Sequence, residues 1–184
     1  MDAADRARSA LEARQAGRVE HPGGDLLSHL VRTQALLESW GARPALALAG
    51  LCHAAYGTQG LPVQLFGLDE RERLAELVGT EAEAIVYGYG SCDRDYVHPQ
   101  LGREVVAFRD RFSDVVNDLS GQGLLDFVEL TFANELDLVG YSPAFAAANG
   151  SGIAAVLRPC RAMVTDAAWA SFDLLLVSPG AAVD

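Results

Sequence analysis

Apolar residues recur along most of the chain at the spacing that places them on one face of a helix. The clearest helix is expected to start at Asp25, as its N-cap, and to run to Trp40, with Gly41 ending it. Pro44 opens the next helix at a first-turn position, and this helix is expected to continue to about Ala55. Strand-like alternation is not sustained anywhere. The pattern therefore predicts an all-α fold.

The other segments are predicted from the same spacing and from start and stop residues. A charged, alanine-rich helix is expected over residues 2–17, and the break His21-Pro-Gly-Gly24 follows it. Beyond a turn and loop over 56–68, the segments expected to be helical are 69–79, 80–88, 98–112, 122–139, 143–149 and 161–175, with a loop at 89–97. No internal repeat interrupts this series, so a single domain over residues 1–184 is predicted.

Composition narrows the class of protein. The formal charge is −11 and half of the residues are hydrophobic, so attraction to nucleic acid or to an anionic membrane is not expected. No apolar run reaches the length of a membrane span, and the charged start lacks the apolar core of a signal peptide. The three cysteines are scattered and fit reduced, buried thiols. A cytoplasmic, soluble protein is the expectation.

Two histidines on consecutive predicted helices are the main candidates for chemistry. His29 shares a helix face with Thr33, and His53 ends a strongly apolar run in which Gly50 allows a close helix approach. His21 is expected to fold back over the start of the first of these helices, and Tyr56 to lie near His53. The alternative for each histidine is a hydrogen-bonded residue of the core. Their grouping favours an acid/base pair or part of a metal site.

Other polar residues have competing interpretations. Arg32 is either a surface arginine or a bidentate ligand for an anionic substrate group. Asn134 either hydrogen-bonds a substrate or ties helices together, and its neighbour Glu135 is either part of that cluster or exposed to solvent. Glu83 is expected to cap its own helix, and His98 to lie on the surface.

A resemblance adds to these observations. The run from His29-Leu-Val-Arg-Thr to Ala47-Leu-Ala-Gly-Leu-Cys-His53 resembles the core of the HD-domain superfamily, in which a second helix ends in a His-Asp dyad. His21-Pro-Gly-Gly-Asp-Leu-Leu-Ser-His29, Ala-Ala-Tyr-Gly-Thr58 and Ala-Asn-Glu135 are similar to an uncharacterised bacterial HD-like family. The resemblance implies an HD-like helical bundle with a core at about 15–140, on which helices of 141–176 pack. Thr58 is expected to bind the substrate, together with Thr33, Tyr56 and Asn134.

The departures from that superfamily decide the expected chemistry. Ala54 stands at the aspartate of the dyad, and Asn134 stands at the final aspartate. The carboxylates that hold a divalent ion in a phosphohydrolase are therefore missing. If a metal binds, its expected ligands are His21, His29 and His53, and its identity Fe, Mn or Zn.

Three hypotheses follow. The first is an enzyme of lyase or cyclase type that uses neither a metal nor a cofactor. His29, His53 and His21 are its catalytic residues. Its substrate is a small molecule of bacterial specialised metabolism, which is anionic if an arginine binds it. The second is a metal-dependent hydrolase or iron oxygenase. The third is a non-catalytic subunit whose apolar C-terminal helix packs on a copy of itself or on another chain. The first hypothesis is preferred.

Overall fold

The computed structural model describes residues 2–177, and α-helix dominates them. The α-helices in this described part are α1 (Ala3–Ala13), α2 (Leu26–Ser39), α3 (Pro44–Cys52), α4 (Arg71–Val78), α5 (Thr80–Ser91), α6 (Arg94–Val97), α7 (Gly121–Tyr141), α8 (Pro143–Leu157) and α9 (Asp166–Phe172). The chain is therefore mainly α-helical, as its hydrophobic pattern predicts. None of these helices is both long and apolar enough to cross a membrane.

Several predicted helix boundaries are confirmed by their capping contacts. The Asp25 carboxylate accepts a hydrogen bond from the Ser28 backbone N–H at 2.9 Å, which satisfies one of the unpaired donors at the start of α2. Gly41 has a φ of 76°, a left-handed conformation that ends this helix. Ser142 caps α8 by accepting from the Phe145 N–H at 3.2 Å. Capping residues thus fix where these helices begin and end.

Other boundaries differ from the expectation. α1 stops at residue 13, and α8 continues to residue 157 instead of ending at 149. The segment 89–97, expected to be a loop, contains the end of α5 and all of α6. The last predicted helix, 161–175, is divided into a 3₁₀ segment at Arg158–Met163, then α9, then a π-helical turn at Asp173–Val177.

The prediction of a helix over 98–112 is wrong. The structure has a β-hairpin there, with β3 (Val105–Asp110) paired antiparallel to β4 (Val115–Ser120). Neighbouring β-branched valines begin both strands, and a residue with positive φ, Asp114 (59°), forms the turn between them. Val106 is fully buried, whereas Val105 and Val116, on the opposite face of the hairpin, remain 50% and 45% exposed. The two-residue strands β1 (Glu20–His21) and β2 (Gly24–Asp25) form a second, smaller antiparallel pair before α2.

Four helices enclose the centre of the molecule. α2 packs against α3 and α7, and α5 packs against α3 and α7 as well. The two closest helices, α2 and α3, meet at Gly50, where an added Cβ would lie only 2.5 Å from Leu37 Cδ1. This close approach, expected from the sequence, brings the end of α3 beside the middle of α2. The candidate histidines lie at that contact.

Candidate functional site

The structure brings the three candidate histidines together. His29 from α2 and His53 from the end of α3 face each other with 3.3 Å between their Nε2 atoms. Both side chains are buried, with 0% and 2% of their surface exposed. His21 stacks on the His29 ring at a centroid distance of 4.3 Å. Helix packing thus shelters two imidazoles and leaves the third at their edge.

An acid that the sequence reasoning did not identify holds His29 in place. Asp137 on α7 lies with its Oδ2 atom 2.6 Å from His29 Nδ1. Arg32 donates to the same carboxylate through Nε at 2.7 Å and Nη2 at 2.9 Å. Burial alone would raise the pKa of Asp137, but the hydrogen bonds from His29 and Arg32 outweigh it and lower this pKa. Asp137 is therefore an ionised carboxylate that orients His29.

The hydrogen-bond partners define where protons sit. His53 Nδ1 donates to the Gly50 carbonyl at 2.8 Å, so its Nε2 carries a lone pair. His29 Nε2 faces this lone pair and also Asn134 Oδ1 at 3.1 Å. The amide orientation of Asn134 is fixed because its Nδ2 donates to Glu135 Oε1 at 3.0 Å. Three acceptor atoms would repel one another here, so a proton on His29 Nε2 is required.

Burial keeps the other two imidazoles neutral. It lowers the pKa of His53 to about 3, and repulsion from His29 adds to the shift. The same two causes, in the same order, lower the pKa of His21 to about 4. His21 Nδ1 accepts from the Gly23 N–H at 3.2 Å, which leaves its proton on Nε2. Lone pairs and protons at the three rings are thus assigned by their contacts.

Arg32 and Thr33 are occupied within the protein. Besides Asp137, Arg32 binds the Gly23 carbonyl at 2.7 Å, and its guanidinium stacks 4.2 Å above the Tyr141 ring. Thr33 donates to the carbonyl of His29, one turn earlier on α2, at 3.0 Å. The structure therefore places Arg32 behind His29, as an orienting residue.

Tyr56, expected near His53, belongs to a different cluster. Its hydroxyl donates to Glu83 Oε1 at 2.9 Å, and Arg71 binds the same carboxylate through Nε at 2.7 Å. Glu83 is only 6% exposed and does not act as the cap expected for its helix. Burial and the Glu83 contact both raise the pKa of Tyr56. These contacts stabilise the packing of α4 and α5 on the turn after α3.

A cavity of about 150 Å³ adjoins the histidine cluster. Its lining includes His21, Thr58 and Asn134, whereas the two more deeply buried histidines, His29 and His53, do not line it. A second cavity, of about 430 Å³, shares Arg94 and Glu135 with the first. His98, expected at the surface, is partly buried and lines the second cavity. Sequence reasoning missed Arg94 because nothing in its local pattern marks it.

The resemblance to metal-dependent relatives can be tested on the donor set. Within residues 2–177, no group of three or more His, Cys, Asp or Glu side chains is arranged to hold a metal ion. Both Asp137 oxygens are engaged by His29 and Arg32, and His21 stacks on His29 instead of aiming a nitrogen at the centre. The expected set of His21, His29 and His53 thus does not fit a coordination shell in this arrangement.

The comparisons with known proteins give one family match. Residues 10–94 match a family model described as a domain of unknown function, DUF6817. The match spans a little under half of the chain and includes the three clustered histidines, but it ends before Asn134 and Asp137. No curated protein and no solved structure matches the chain. Fold and site define a mainly α-helical protein with a buried histidine cluster beside two cavities.

Proposed function

We propose that the protein is a small-molecule enzyme that uses histidine acid/base chemistry without a metal. The observation that carries the proposal is the position of His29 Nε2, which lies 3.3 Å from His53 Nε2 and 3.1 Å from Asn134 Oδ1, so that its proton faces two acceptors. One imidazole can donate its proton to a substrate, and the other can accept a different proton from that substrate. Such general acid/base catalysis contributes roughly 10²–10⁴-fold.

Each residue then has a defined part. Asp137 and Arg32 orient His29, the proton donor, and His53 with its free lone pair is the base. His21 and Asn134 face the cavity and contact the substrate, and His21 is the side chain that moves aside to expose the buried pair. Proton transfer by the imidazoles suits elimination, cyclisation or isomerisation of a small metabolite, and specialised bacterial metabolism is the setting by analogy.

An HD-like helical bundle is part of the proposal. Two consecutive helices deliver His29 and His53, and the late helix α7 delivers Asn134 at the position of the superfamily's final aspartate. The dyad aspartate is replaced by Ala54, and the acid of this site comes instead from Asp137, one turn beyond Asn134 on the same helix. In this scheme the chain keeps the scaffold and replaces metal ligation by a carboxylate–imidazole pair.

The test combines metal analysis with ¹⁵N NMR of the imidazoles at pH 7. We expect purification without chelators to yield no stoichiometric transition metal, His53 to carry its proton on Nδ1, and His29 to carry protons on both nitrogens. His53→Gln should change the His29 signals, and His98→Gln, outside the cluster, should not. Two Nε2 atoms about 3.3 Å apart also fit the edge of a zinc shell. Near-stoichiometric metal that is lost in His53→Gln would overturn the proposal in favour of a metalloenzyme.

A further inference from the structure

Arg94 is loosely paired compared with other guanidinium groups of the protein. Its Nη1 lies 3.4 Å from Glu135 Oε1, and its Nη2 lies 3.3 Å from the Tyr89 hydroxyl. Arg32 and Arg71, in contrast, each approach a carboxylate to 2.7 Å and make two hydrogen bonds to it. A guanidinium has five N–H donors in a planar fork. Arg94 thus keeps donors for a carboxylate that is not part of the protein.

The position of Arg94 makes these donors accessible to a ligand. Arg94 and Glu135 line both cavities, so the larger cavity and the one beside His21 are neighbours across this ion pair. The side chains of Arg94 and Glu135 are 22% and 13% exposed, and both line these cavities. The lining of the larger cavity also includes the apolar side chains of Ile153, Val156 and Leu157.

The charges around Arg94 select the kind of ligand. Arg94 and Asn134 both donate to Glu135 Oε1, and Oε2 accepts no hydrogen bond from the described residues. Asp95 accepts from the Gln59 amide at 2.8 Å at the mouth of the cavity. His98 is neutral, because burial and then Arg94 lower its pKa to about 4. A simple anion would be repelled by Glu135, whereas a zwitterion meets both charges.

We propose that this cavity binds an α-amino acid with an apolar side chain. Its carboxylate binds Arg94, its ammonium binds Glu135, and its side chain packs on Ile153, Val156 and Leu157. The ammonium and carboxylate of an α-amino acid are separated by one carbon. This short separation suits two protein groups as close together as Arg94 Nη1 and Glu135 Oε1, which lie 3.4 Å apart. The inference deepens the proposed function, on which it rests for the role of the amino acid as substrate. Binding itself does not require that role.

The test is isothermal titration calorimetry on the full chain with L-leucine, L-methionine and L-phenylalanine. We expect saturable binding of at least one of them. For the best of these ligands, the analogue without the amino group and the analogue without the carboxylate (isocaproate and isoamylamine for leucine) should each bind roughly tenfold or more weakly, as loss of a charge-assisted hydrogen bond implies. No binding of any of the three, or equal binding of the deaminated analogue, overturns the proposal.

Two glycines provide a matched pair of blocking variants. Gly152 lies on α8 and lines the larger cavity, and an added Cβ there meets no atom within 4 Å. Gly88 on α5 has the same open surroundings but lines a different cavity, with Tyr89 and Phe127. Gly152→Leu should abolish amino-acid binding, and Gly88→Leu should leave it unchanged. The reverse result would place the ligand elsewhere and contradict the proposal.

Substitutions of the ion pair separate this inference from the proposed function. Glu135→Gln should weaken leucine roughly tenfold or more and strengthen isocaproate, which Glu135 repels, whereas Arg94→Gln should weaken both. Binding that survives both substitutions contradicts the assignment. If amino acids bind as expected while the imidazoles prove to hold a metal, the inference stands and the proposed chemistry falls. If the imidazoles behave as proposed and no amino acid binds, only the inference falls.

Discussion

Asp137 Oδ2 lies 2.6 Å from His29 Nδ1, although the two residues are 108 positions apart in the chain. The pair joins α7 to α2, and its carboxylate is only 4% exposed. Arg32 binds the other carboxylate oxygen at 2.7 Å, so one buried carboxylate lies between an imidazole and a guanidinium. The orientation of His29 and the packing of two helices thus depend on the same side chain.

Asp137→Asn is expected to destabilise the protein and to disturb His29. The amide of asparagine has no negative charge and only one acceptor oxygen, so it cannot replace the carboxylate that binds Arg32 and His29. Removal of one partner of a buried ion pair costs about 3 kcal/mol. Urea denaturation should show this loss in the free energy of unfolding. ¹⁵N NMR should show that His29 no longer carries protons on both ring nitrogens.

The control for this variant is Asp126→Asn. Asp126 is also 4% exposed and binds Arg43, whose side chain is 31% exposed, as that of Arg32 is. We expect a comparable loss of stability and no change in the imidazole signals. If both variants alter His29 equally, Asp137 acts only through general stability and has no orienting role.

Stability is expected to fall as the pH drops below 6.5. The pKa of His53 is lowered to about 3, mainly by burial, so the unfolded chain binds a proton between pH 6.5 and 3 that the folded protein does not. The unfolded state is therefore favoured increasingly as the pH falls, by about 2 kcal/mol between pH 7 and 5 for this group. His21 and His98 have pKa values lowered to about 4 and act in the same direction.

Urea denaturation at pH 7 and pH 5 measures this effect. His53→Gln should reduce the difference in unfolding free energy between the two pH values, because the group that titrates only in the unfolded chain is gone. Asp137 acts in a separate window: its folded pKa lies below the ordinary 3.8, so its contribution is lost only at still lower pH. An equal pH dependence in the variant and the wild type would contradict the shift assigned to His53.

Local signals made most of the helical fold predictable. Asp25, Gly41, Pro44 and Ser142 act through backbone contacts within a few residues, and the structure confirms each of them as a helix boundary. The hairpin was missed because its pairing joins strands across a turn, and only Val106 of its apolar residues is fully buried. Without one regular buried face, its sequence does not alternate clearly.

The site was predictable only in part, for a similar reason. His21, His29 and His53 lie within one stretch of the chain, and helical spacing places the last two on facing helices. Asp137 and Arg94 reach the site through long-range packing of α7 and α6, which no local pattern encodes. Tyr56 follows His53 by one helical turn, but α3 ends at Cys52, and the chain turns Tyr56 away toward Glu83.

Tyr56→Phe should affect stability and leave the histidine cluster unchanged. The variant removes the 2.9 Å hydrogen bond to buried Glu83, which costs about 1–3 kcal/mol when the acceptor stays buried. Tyr87→Phe, which removes a bond to the less buried Asp110, should cost less. Urea denaturation measures both, and ¹⁵N NMR follows the imidazoles. If Tyr56→Phe changes the His53 signals and Tyr87→Phe does not, Tyr56 belongs to the histidine site after all.

Gly50→Ala is expected to destabilise the protein and to move His53. The new Cβ would lie 2.5 Å from Cδ1 of the fully buried Leu37 and 3.5 Å from the backbone of Gln34, so Leu37 must repack or α3 must shift away from α2. Overpacking of this kind costs about 1–3 kcal/mol. The Gly50 carbonyl also accepts the 2.8 Å hydrogen bond from His53 Nδ1, so a shift of α3 should alter the imidazole signals.

The matched control is Gly88→Ala, also within a helix. An added Cβ there meets no atom within 4 Å, so the higher helix propensity of alanine should raise the unfolding free energy by roughly 0.5–1 kcal/mol. Opposite signs for the two variants in urea denaturation would show that close contact between α2 and α3, and not helix propensity, governs Gly50. Stabilisation by both substitutions would mean that the two helices have room to separate without cost, and that the position of His53 does not depend on their contact.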